Sequence, residues 1–312
     1  MAVPFFSAAA VEAAVPADVA YEAVRDGFVA YARGEWTMEP KLYVTNYPAG
    51  DFRAMPALGG GHALLKWVTS FPGNPTRGLP TVTGLVVLSD ATTGIVVALL
   101  DAAAVTALRT GAAAVLAADV LGRGDAATAA VVGAGVNGRA AARTFVARGR
   151  QVALWDVDET RAVAAAAEIG AHAARSREAA LAADLLVTVT PGRKILLDEG
   201  SLRPGQHVSL MGADGPGKAE IAVAELARAR VFCDDWEQAS HGGELTAAVE
   251  AGLLGRDDVG LLGEVLLGAA AGRTTDDEIT VFDSTGLAIQ DLAIAKAALA
   301  RADALELPTL DL

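Results

Sequence analysis

The sequence is poor in the residue types that build metal centres and disulfides. It contains one cysteine, Cys233, and four histidines, His62, His172, His207 and His241, and none of these lie at a metal-ligand spacing. A single cysteine cannot form an internal disulfide, which favours a reducing compartment. We therefore expect no metal site and a cytoplasmic location.

Long uncharged apolar runs and basic clusters are lacking as well. Charged residues interrupt even the alanine-rich tracts, so we expect no membrane helix. Residues 1–6 lack the basic region of a signal peptide. The net charge is −13, with no basic cluster such as a phosphate backbone needs. Neither a membrane nor a nucleic acid is therefore an expected partner.

What the sequence does contain is a glycine turn of the dinucleotide-binding type. A short apolar run leads into Gly133-Ala-Gly135-Val-Asn-Gly138, and an alanine-rich helical pattern follows. In such turns the first glycine allows the tight turn, the second lets a pyrophosphate approach, and the third lets the helix pack on the strand. Asp156 ends the next strand-like run, where a carboxylate binds the ribose hydroxyls of NAD and repels the 2′-phosphate of NADP. The alternative is a glycine turn with only a structural role. The flanking strand, the helix and Asp156 favour a nucleotide site with NAD as cofactor.

Periodicity divides the chain into two domains. From residue 128 to 283, short apolar runs alternate with helical stretches, which predicts an α/β fold with a doubly wound parallel (Rossmann) sheet. Residues 41–100 show closely spaced strands, which predicts an antiparallel or mixed sheet in a second, α+β domain for substrate binding and dimerisation. We predict that residues 1–120 plus 287–312 form the substrate domain, and 121–286 the NAD-binding domain.

Three cations of the first domain are candidate substrate ligands. Arg53 and Lys66 flank a Gly59-Gly-Gly turn, so the chain could fold back and bring them together around a carboxylate. Lys66 lies within an apolar strand, where an unpaired ammonium would be costly; solvated charges are the alternative, and it is a strong one for Arg53. Arg109 lies in an apolar helix and needs an anionic partner, such as a cofactor phosphate or a substrate carboxylate.

Two segments follow strands of the predicted parallel sheet, where its active crevice opens. Asp214, in a glycine-rich loop, is a candidate proton acceptor or merely an Asx-turn residue. Ser284 could contact ribose or nicotinamide, or cap the helix that begins at Leu287.

Several ordered motifs resemble the ornithine cyclodeaminase/mu-crystallin family. They span nearly the whole chain: Lys66-Trp-Val, residues 74–83 (NPTRGLPTVT), residues 106–113 (TALRTGAA), the VVGAGVNG turn, residues 212–218 (GADGPGK), residues 237–244 (EQASHGGE) and residues 279–291 (ITVFDSTGLAIQD). The resemblance implies a homodimer that pairs through the first domain, with the cofactor on the second domain and an amino-acid or keto-acid substrate between them.

The resemblance also implies roles for individual residues. Lys66 and Asp214 would be catalytic, with Asp214 accepting a proton or positioning water. The substrate would be bound by Arg53, Lys66, Thr81 and Arg109. The cofactor side would be formed by Arg109, Thr110, Gly133, Gly135, Val136, Asn137, Gly138, Asp156, Thr190 and Ser284.

Arg53 separates the branches of the family. Ornithine cyclodeaminases carry a glutamate at this position of the pattern, where an acid suits a diamino substrate, whereas Arg53 is similar to archaeal-type alanine dehydrogenases. A cation there would repel a second amino group. We therefore expect NAD-dependent oxidative deamination of a small L-amino acid, or the reverse imine reduction. Ornithine cyclodeamination and a non-enzymatic, crystallin-like NADH-binding role stay as alternatives.

Overall fold

The computed structural model describes residues 2–215 and 217–312, which form two compact units. The first unit is Met1–Arg109 with Leu287–Leu312, and the second is Thr110–Gly286. On the C-terminal side the division lies between Gly286 and Leu287. The other boundary lies inside a helix, between Arg109 and Thr110, and not at that helix's end near residue 120.

The first unit is built on a mixed sheet. Its central strands are antiparallel, with β5 between β4 and β6, and the order along the sheet is β16-β1-β7-β6-β5-β4-β2, with β3 also paired to β4. The strands are β1 (Ala2–Phe6), β2 (Thr37–Met38), β3 (Leu42–Asn46), β4 (Gly50–Gly59), β5 (His62–Ser70), β6 (Val82–Asp90), β7 (Val96–Asp101) and, from the C-terminal segment, β16 (Thr309–Asp311).

Strands β4 and β5 form a hairpin that fixes which side chains share a face. Gly60 and Gly61 close it at φ of 54° and 81°, a conformation that residues with a Cβ rarely adopt. In the strand register, Lys66 lies directly opposite Met55 of β4 and Val86 of β6. Directly opposite side chains share a face of the sheet, and successive side chains along a strand alternate between the two faces. One face therefore carries Arg53, Met55 and Lys66. The opposite face is apolar and exposed: it carries Leu42, Val44, Leu58, Leu65, Trp67 and Leu85.

Helices complete the first unit. They are α1 (Ala8–Ala14), α2 (Ala17–Ala32), the first part of α3 (Ala102–Leu121), and α11 (Ala288–Leu299). Helix α11 packs on α2, β4 and β5. Short 3₁₀ turns lie at Asn74–Arg77 and Ala302–Ala304.

Helix α3 differs from the sequence expectation in one respect. It is long and apolar enough to cross a membrane by length and composition, although Arg109 and Asp119 lie within it. However, 72% of its most apolar window is buried inside the protein, as in the core helix of a globular fold. Its composition therefore reflects burial in protein and is weak evidence for a membrane span.

The second unit contains a fully parallel sheet with the order β10-β9-β8-β11-β12-β15-β13-β14. The order reverses between β8 and β11, which is the switch point of a doubly wound fold. The strands are β8 (Ala129–Val132), β9 (Val152–Trp155), β10 (His172–Ala173), β11 (Leu185–Thr188), β12 (His207–Leu210), β13 (Arg230–Cys233), β14 (Val259–Leu261) and β15 (Thr280–Asp283). The helices are α4 (Val136–Ala147), α5 (Glu159–Ile169), α6 (Arg177–Leu181), α7 (Val223–Arg228), α8 (Trp236–Gly242), α9 (Thr246–Glu250) and α10 (Leu262–Leu266), with a 3₁₀ turn at Arg256–Asp258.

The register of this sheet gathers the loops that carry the predicted nucleotide residues. Val132 pairs with Trp155 and Thr188, Thr188 with Leu210, and Leu210 with Asp283. The segments that follow these residues therefore leave the sheet at the same carboxyl edge. The predicted α/β fold with a Rossmann sheet is confirmed. Cys233, on β13, is buried.

Candidate functional site: a cation cluster and a nucleotide edge

The first unit gathers three cations and two carboxylates, which we call the cation cluster: Arg53, Lys66, Arg109, Asp51 and Asp291. Lys66 Nζ lies 2.6 Å from Asp291 Oδ2, and Arg109 Nε lies 3.6 Å from Asp291 Oδ1. Arg53 Nε lies 2.6 Å from Asp51 Oδ1. Three positive charges face two negative ones, so the cluster has one positive charge in excess and suits a single carboxylate ligand.

Lys66 is the most deeply buried cation of the cluster, with 1% of its side chain exposed. Burial lowers its pKa to about 8; the negative charge of Asp291 opposes this shift, and the positive charges of Arg109 and Arg53 add to it. Its ammonium also donates to Thr106 Oγ1 at 3.3 Å. Lys66 is therefore a cation near neutral pH that can lose its proton within a physiological range.

Arg109 and Gln290 present polar atoms that other described residues leave unbonded. Arg109 Nη1 donates to Gln290 Oε1 at 3.4 Å. Arg109 Nε and Gln290 Nε2 are both buried and have no hydrogen-bond partner among residues 2–215 and 217–312. Buried donors are normally bonded, so two such donors beside an excess positive charge point to a ligand-binding site.

Arg53 is oriented by its neighbours on the strands. Its guanidinium makes two bonds to the Asp51 carboxylate, from Nε to Oδ1 at 2.6 Å and from Nη2 to Oδ2 at 3.3 Å, and it lies 5.3 Å from the centroid of the Tyr43 ring. The hairpin places Arg53 diagonally across from Lys66 on the same face. Thr81 lies farther along the sheet, just before β6, where its carbonyl oxygen accepts from Phe71 N.

The glycine turn of the second unit has the shape that a pyrophosphate needs. Gly133 has φ 109°, and a Cβ on Gly138 would overlap the carbonyl oxygen of Gly133. A Cβ on Gly135 would meet nothing within 4 Å, so packing does not require glycine there and open space lies beside it. Gly135 is the N-cap of α4 and offers no side-chain cap, which leaves the first amides of the helix for an anion. These residues fit a dinucleotide.

Asp156 is held against the glycine turn. Its Oδ2 accepts from Ala134 N at 2.8 Å and its Oδ1 accepts from Asp158 N at 2.9 Å. Each carboxylate oxygen accepts more than one hydrogen bond, so capacity for ribose hydroxyls remains.

Two buried glutamates brace the neighbouring loops. Glu220 accepts from Thr188 Oγ1 at 2.7 Å, from Thr190 N and Oγ1 at 2.8 and 2.6 Å, and from Gly212 N at 3.0 Å. Glu244 in turn accepts from Glu220 N at 2.8 Å. Burial raises the pKa of both carboxyls, to about 9 for Glu244, where the charges of Asp283 and Glu220 add to the shift. The predicted cofactor residue Thr190 is thereby fixed in place.

Asp214 and Ser284 have side-chain partners that the sequence did not suggest. Asp214 forms an ion pair with Lys218, and the carboxylate is about one-third exposed. Ser284 Oγ donates to the buried Asp234 at 2.9 Å, and Gly286 N donates to the same carboxylate at 2.8 Å. The alternative that Ser284 caps the closing helix is wrong, because the N-cap of α11 is Leu287, whose amide is bonded to Gln290.

The remaining predicted cofactor residues lie around the turn and on α3. Val136 is exposed and Asn137 half-buried in the first turn of α4, whereas Thr110 is buried on α3 directly after Arg109. The described residues contain no group of three or more histidine, cysteine, aspartate or glutamate side chains suited to a metal.

The sequence matches the profile of the ornithine cyclodeaminase/mu-crystallin family over residues 3–305. The chain belongs to this family. Within it, the chain is 43% identical to alanine dehydrogenase of Archaeoglobus fulgidus over 295 residues, which is 92% of this chain and 91% of the relative. It is 34% identical to iminosuccinate reductase of Paracoccus denitrificans over 90% of each chain.

A solved family structure described as an archaeal alanine dehydrogenase dimer with bound NAD superposes with a TM-score of 0.93. It is 40% identical in sequence, and the match covers 100% of this chain and 99% of that one. The predicted family and its similarity to archaeal-type alanine dehydrogenases are confirmed.

Sequence reasoning missed the acidic residues that hold the predicted site residues of this family member. Asp51, Asp234, Glu220 and Asp291 each orient a residue that was singled out, and none was named as a candidate. A partial signal existed for Asp291: it stands among mostly apolar residues of the segment Ala288–Leu299, where a buried charge needs a partner.

Proposed function

We propose that this protein is an alanine dehydrogenase-like enzyme, which removes the amino group of a small L-amino acid with reduction of NAD. At the coarser level the sequence prediction is confirmed: the chain is an NAD-dependent oxidoreductase of amino-acid metabolism, as its named relatives are dehydrogenases and reductases of amino or imino acids. The alanine substrate is the finer step, and its support comes from the cation cluster.

The observation that carries the proposal is the single positive charge in excess in the cation cluster. Lys66, Arg109 and Arg53 offer donors to one carboxylate, while Asp51 and Asp291 neutralise the rest of the charge. A small monocarboxylate with an uncharged side chain matches this arrangement. Alanine and its 2-oxo acid, pyruvate, are the simplest such pair.

The site residues bind the substrate and transfer protons in this proposal. Bound NAD supplies the hydride acceptor, and the protein supplies orientation and proton transfer. Lys66 and Arg109 bind the substrate carboxylate and stabilise negative charge that develops on the oxygen after water attacks the imine carbon. Asp214, held by Lys218, accepts the proton of the attacking water or of the amine. If neutral Lys66 is the base instead, Arg109 and Arg53 alone bind the carboxylate.

Cyclodeamination of ornithine is the first alternative. Its substrate carries a second ammonium, which needs an unpaired carboxylate. In the first unit Asp51 is bonded twice to Arg53, and Asp291 faces both Lys66 and Arg109. Both carboxylates of the cluster are therefore paired with cations, which favours the monoamino substrate.

A non-enzymatic NADH-binding role is the second alternative. It would need the glycine turn and Asp156, but not the cation cluster. The buried Arg109 Nε has no hydrogen-bond partner among the described residues, which is costly in a fold that has no use for it, so the cluster favours an enzyme.

We also propose a homodimer formed through the first unit, in the cytoplasm. The exposed face of its sheet carries Leu58, Leu65 and Trp67, each 42–49% exposed. A contiguous apolar face of this kind typically marks an interface, and the similar archaeal structure is described as a dimer. The buried free Cys233 suits a reducing cytosol. Light scattering should give a dimer mass for the wild type and a monomer mass for Leu65→Asp; a wild-type monomer would refute the dimer.

A substrate panel tests the enzymatic proposal. NADH and ammonia are followed together with L-alanine, other small L-amino acids, L-ornithine, 2-oxo acids with ammonium, and cyclic imines. Equal amounts of NADH and ammonia from alanine support the proposal. Ammonia from ornithine without net NADH would establish cyclodeamination instead, and NADH binding without turnover on any substrate would establish the binding role.

A further inference from the structure

Arg161 lies beside the carboxylate that is expected to bind the ribose. Its Nη1 is 3.5 Å from Asp156 Oδ1, and its Nη2 is 3.4 Å from Asp158 Oδ2. The arginine side chain is 50% exposed, whereas that of Asp156 is 7% exposed. A half-exposed cation therefore lies beside a buried anion.

The position of Arg161 affects which acceptor positions of Asp156 are open to a ribose. Backbone amides of Ala134 and Asp158 already occupy one acceptor position on each carboxylate oxygen. Arg161 approaches Oδ1, where a ribose hydroxyl would donate. Arg161 therefore competes with the ribose hydroxyls of NAD for Oδ1.

The local charge balance affects how strongly the 2′-phosphate of NADP would be repelled. Asp156 and Asp158 contribute two negative charges and Arg161 one positive charge, so a 2′-phosphate meets a net charge of −1. Without Arg161 it would meet −2. A half-exposed guanidinium can also turn from Asp158 to the phosphate and bind it with two parallel hydrogen bonds.

We propose that Arg161 is a specificity-determining residue, which makes the cofactor site of this protein tolerate NADP while Asp156 makes it prefer NAD. The inference rests on the proposed NAD-binding role of the glycine turn. Arg161 opposes the selectivity that Asp156 imposes, so the two residues together set the ratio of the two affinities.

Binding of reduced cofactors tests the inference without turnover. The Kd values of NADH and NADPH are measured by nicotinamide fluorescence for the wild type, Arg161→Ala and Arg161→Lys. Arg148→Ala is the matched control, since Arg148 is 40% exposed, is paired with Asp119 and lies just past the C-terminal end of α4, away from the glycine turn. We expect Arg161→Ala to raise the Kd of NADPH about tenfold, one charge-assisted contact being lost. The Kd of NADH should stay the same or fall, and Arg161→Lys should lie between.

The outcomes separate this inference from the proposed function. Equal changes for both cofactors, no change for NADPH, the same effect from Arg148→Ala, or a wild type with no measurable NADPH binding would each overturn the role of Arg161. A wild type that binds neither cofactor would refute the NAD site itself. A double variant, Asp156→Ala with Arg161→Ala, adds a second check. Asp156→Ala alone should tighten NADPH binding, and most of that gain should be lost in the double variant.

Discussion

Lys66 and Asp291 form a buried ion pair in the first unit, with Nζ 2.6 Å from Oδ2 and both side chains at most 1% exposed. One partner comes from strand β5 and the other from the closing helix α11. A buried pair of this kind is costly to desolvate and adds little stability by itself. Its main effect here is to hold Lys66 in one position and to keep its pKa from falling further than about 8.

The pKa of Lys66 predicts how carboxylate binding depends on pH. Below about pH 8 the side chain is a cation and binds a carboxylate; above it the charge is lost. The Kd of pyruvate for the NADH complex, measured without ammonium so that no reaction follows, should rise above about pH 8. Lys66→Met should bind pyruvate weakly at every pH, without this rise in Kd. A Kd independent of pH in the wild type up to pH 10 would contradict the role of Lys66 as a charged ligand.

Replacement of Asp291 should change the pH at which pyruvate binding begins to weaken. The carboxylate raises the pKa of Lys66, so Asp291→Asn should lower it and shift the onset of weak pyruvate binding to lower pH. Breaking a buried pair should also cost about 3–5 kcal/mol of unfolding free energy, which thermal denaturation will register. Asp303→Asn, at an exposed position of the same unit, is the control. An unchanged pH profile would show that Asp291 does not act through Lys66.

The glycine turn allows packing and ligand effects to be separated. Gly138→Ala places a Cβ against the carbonyl oxygen of Gly133, so it should lower Tm. Gly135→Ala meets no atom within 4 Å, so its Tm should match the wild type within about 2 °C. It should nevertheless weaken NADH binding by about tenfold or more, because the added methyl group occupies space that the pyrophosphate needs. Unchanged NADH binding in a folded Gly135→Ala protein would argue against that position of the phosphates.

Glu244 predicts a pH dependence of stability. Its pKa is about 9 in the folded protein and 4.5 as the ordinary value, so between these values the folded state holds a proton that the unfolded state has lost. The free energy of unfolding therefore declines as the pH rises through this window. Glu244→Gln mimics the protonated form and keeps an acceptor for the amide of Glu220. Between pH 6 and pH 9 the Tm of the wild type should fall relative to that of Glu244→Gln. Parallel curves of Tm against pH for the two proteins would contradict the buried proton.

The sequence predicted the features that local patterns encode. The Rossmann sheet and the apolar helix that carries Arg109 follow from periodicity and turn residues. The strand that carries Arg53 was not anticipated, because Pro56 interrupts its pattern although β4 accommodates it. The last strand, at Thr309–Asp311, was missed too, since three residues give no periodicity.

The partners of the site residues were harder to predict, because they lie far away in the sequence. Asp234 holds the segment Ser284–Gly286 across two neighbouring strands. Glu220 joins the ends of β11 and β12. Such pairings depend on the strand order, with β15 inserted between β12 and β13, and no local pattern encodes that order. Lys66 and Arg109 could be recognised from the sequence as cations in apolar segments, but their pairing with Asp291 could not, because it joins residues far apart in the chain.

One isotope experiment separates alanine dehydrogenation from ornithine cyclodeamination. The protein is incubated with NAD⁺ and L-alanine that carries deuterium on Cα, and the products are analysed by mass spectrometry. We predict deuterium in the released NADH, with one pyruvate and one ammonium formed for each NADH. If alanine yields no labelled NADH while deuterated ornithine yields proline that retains the label and no net NADH accumulates, the protein is a cyclodeaminase and the proposed function is wrong.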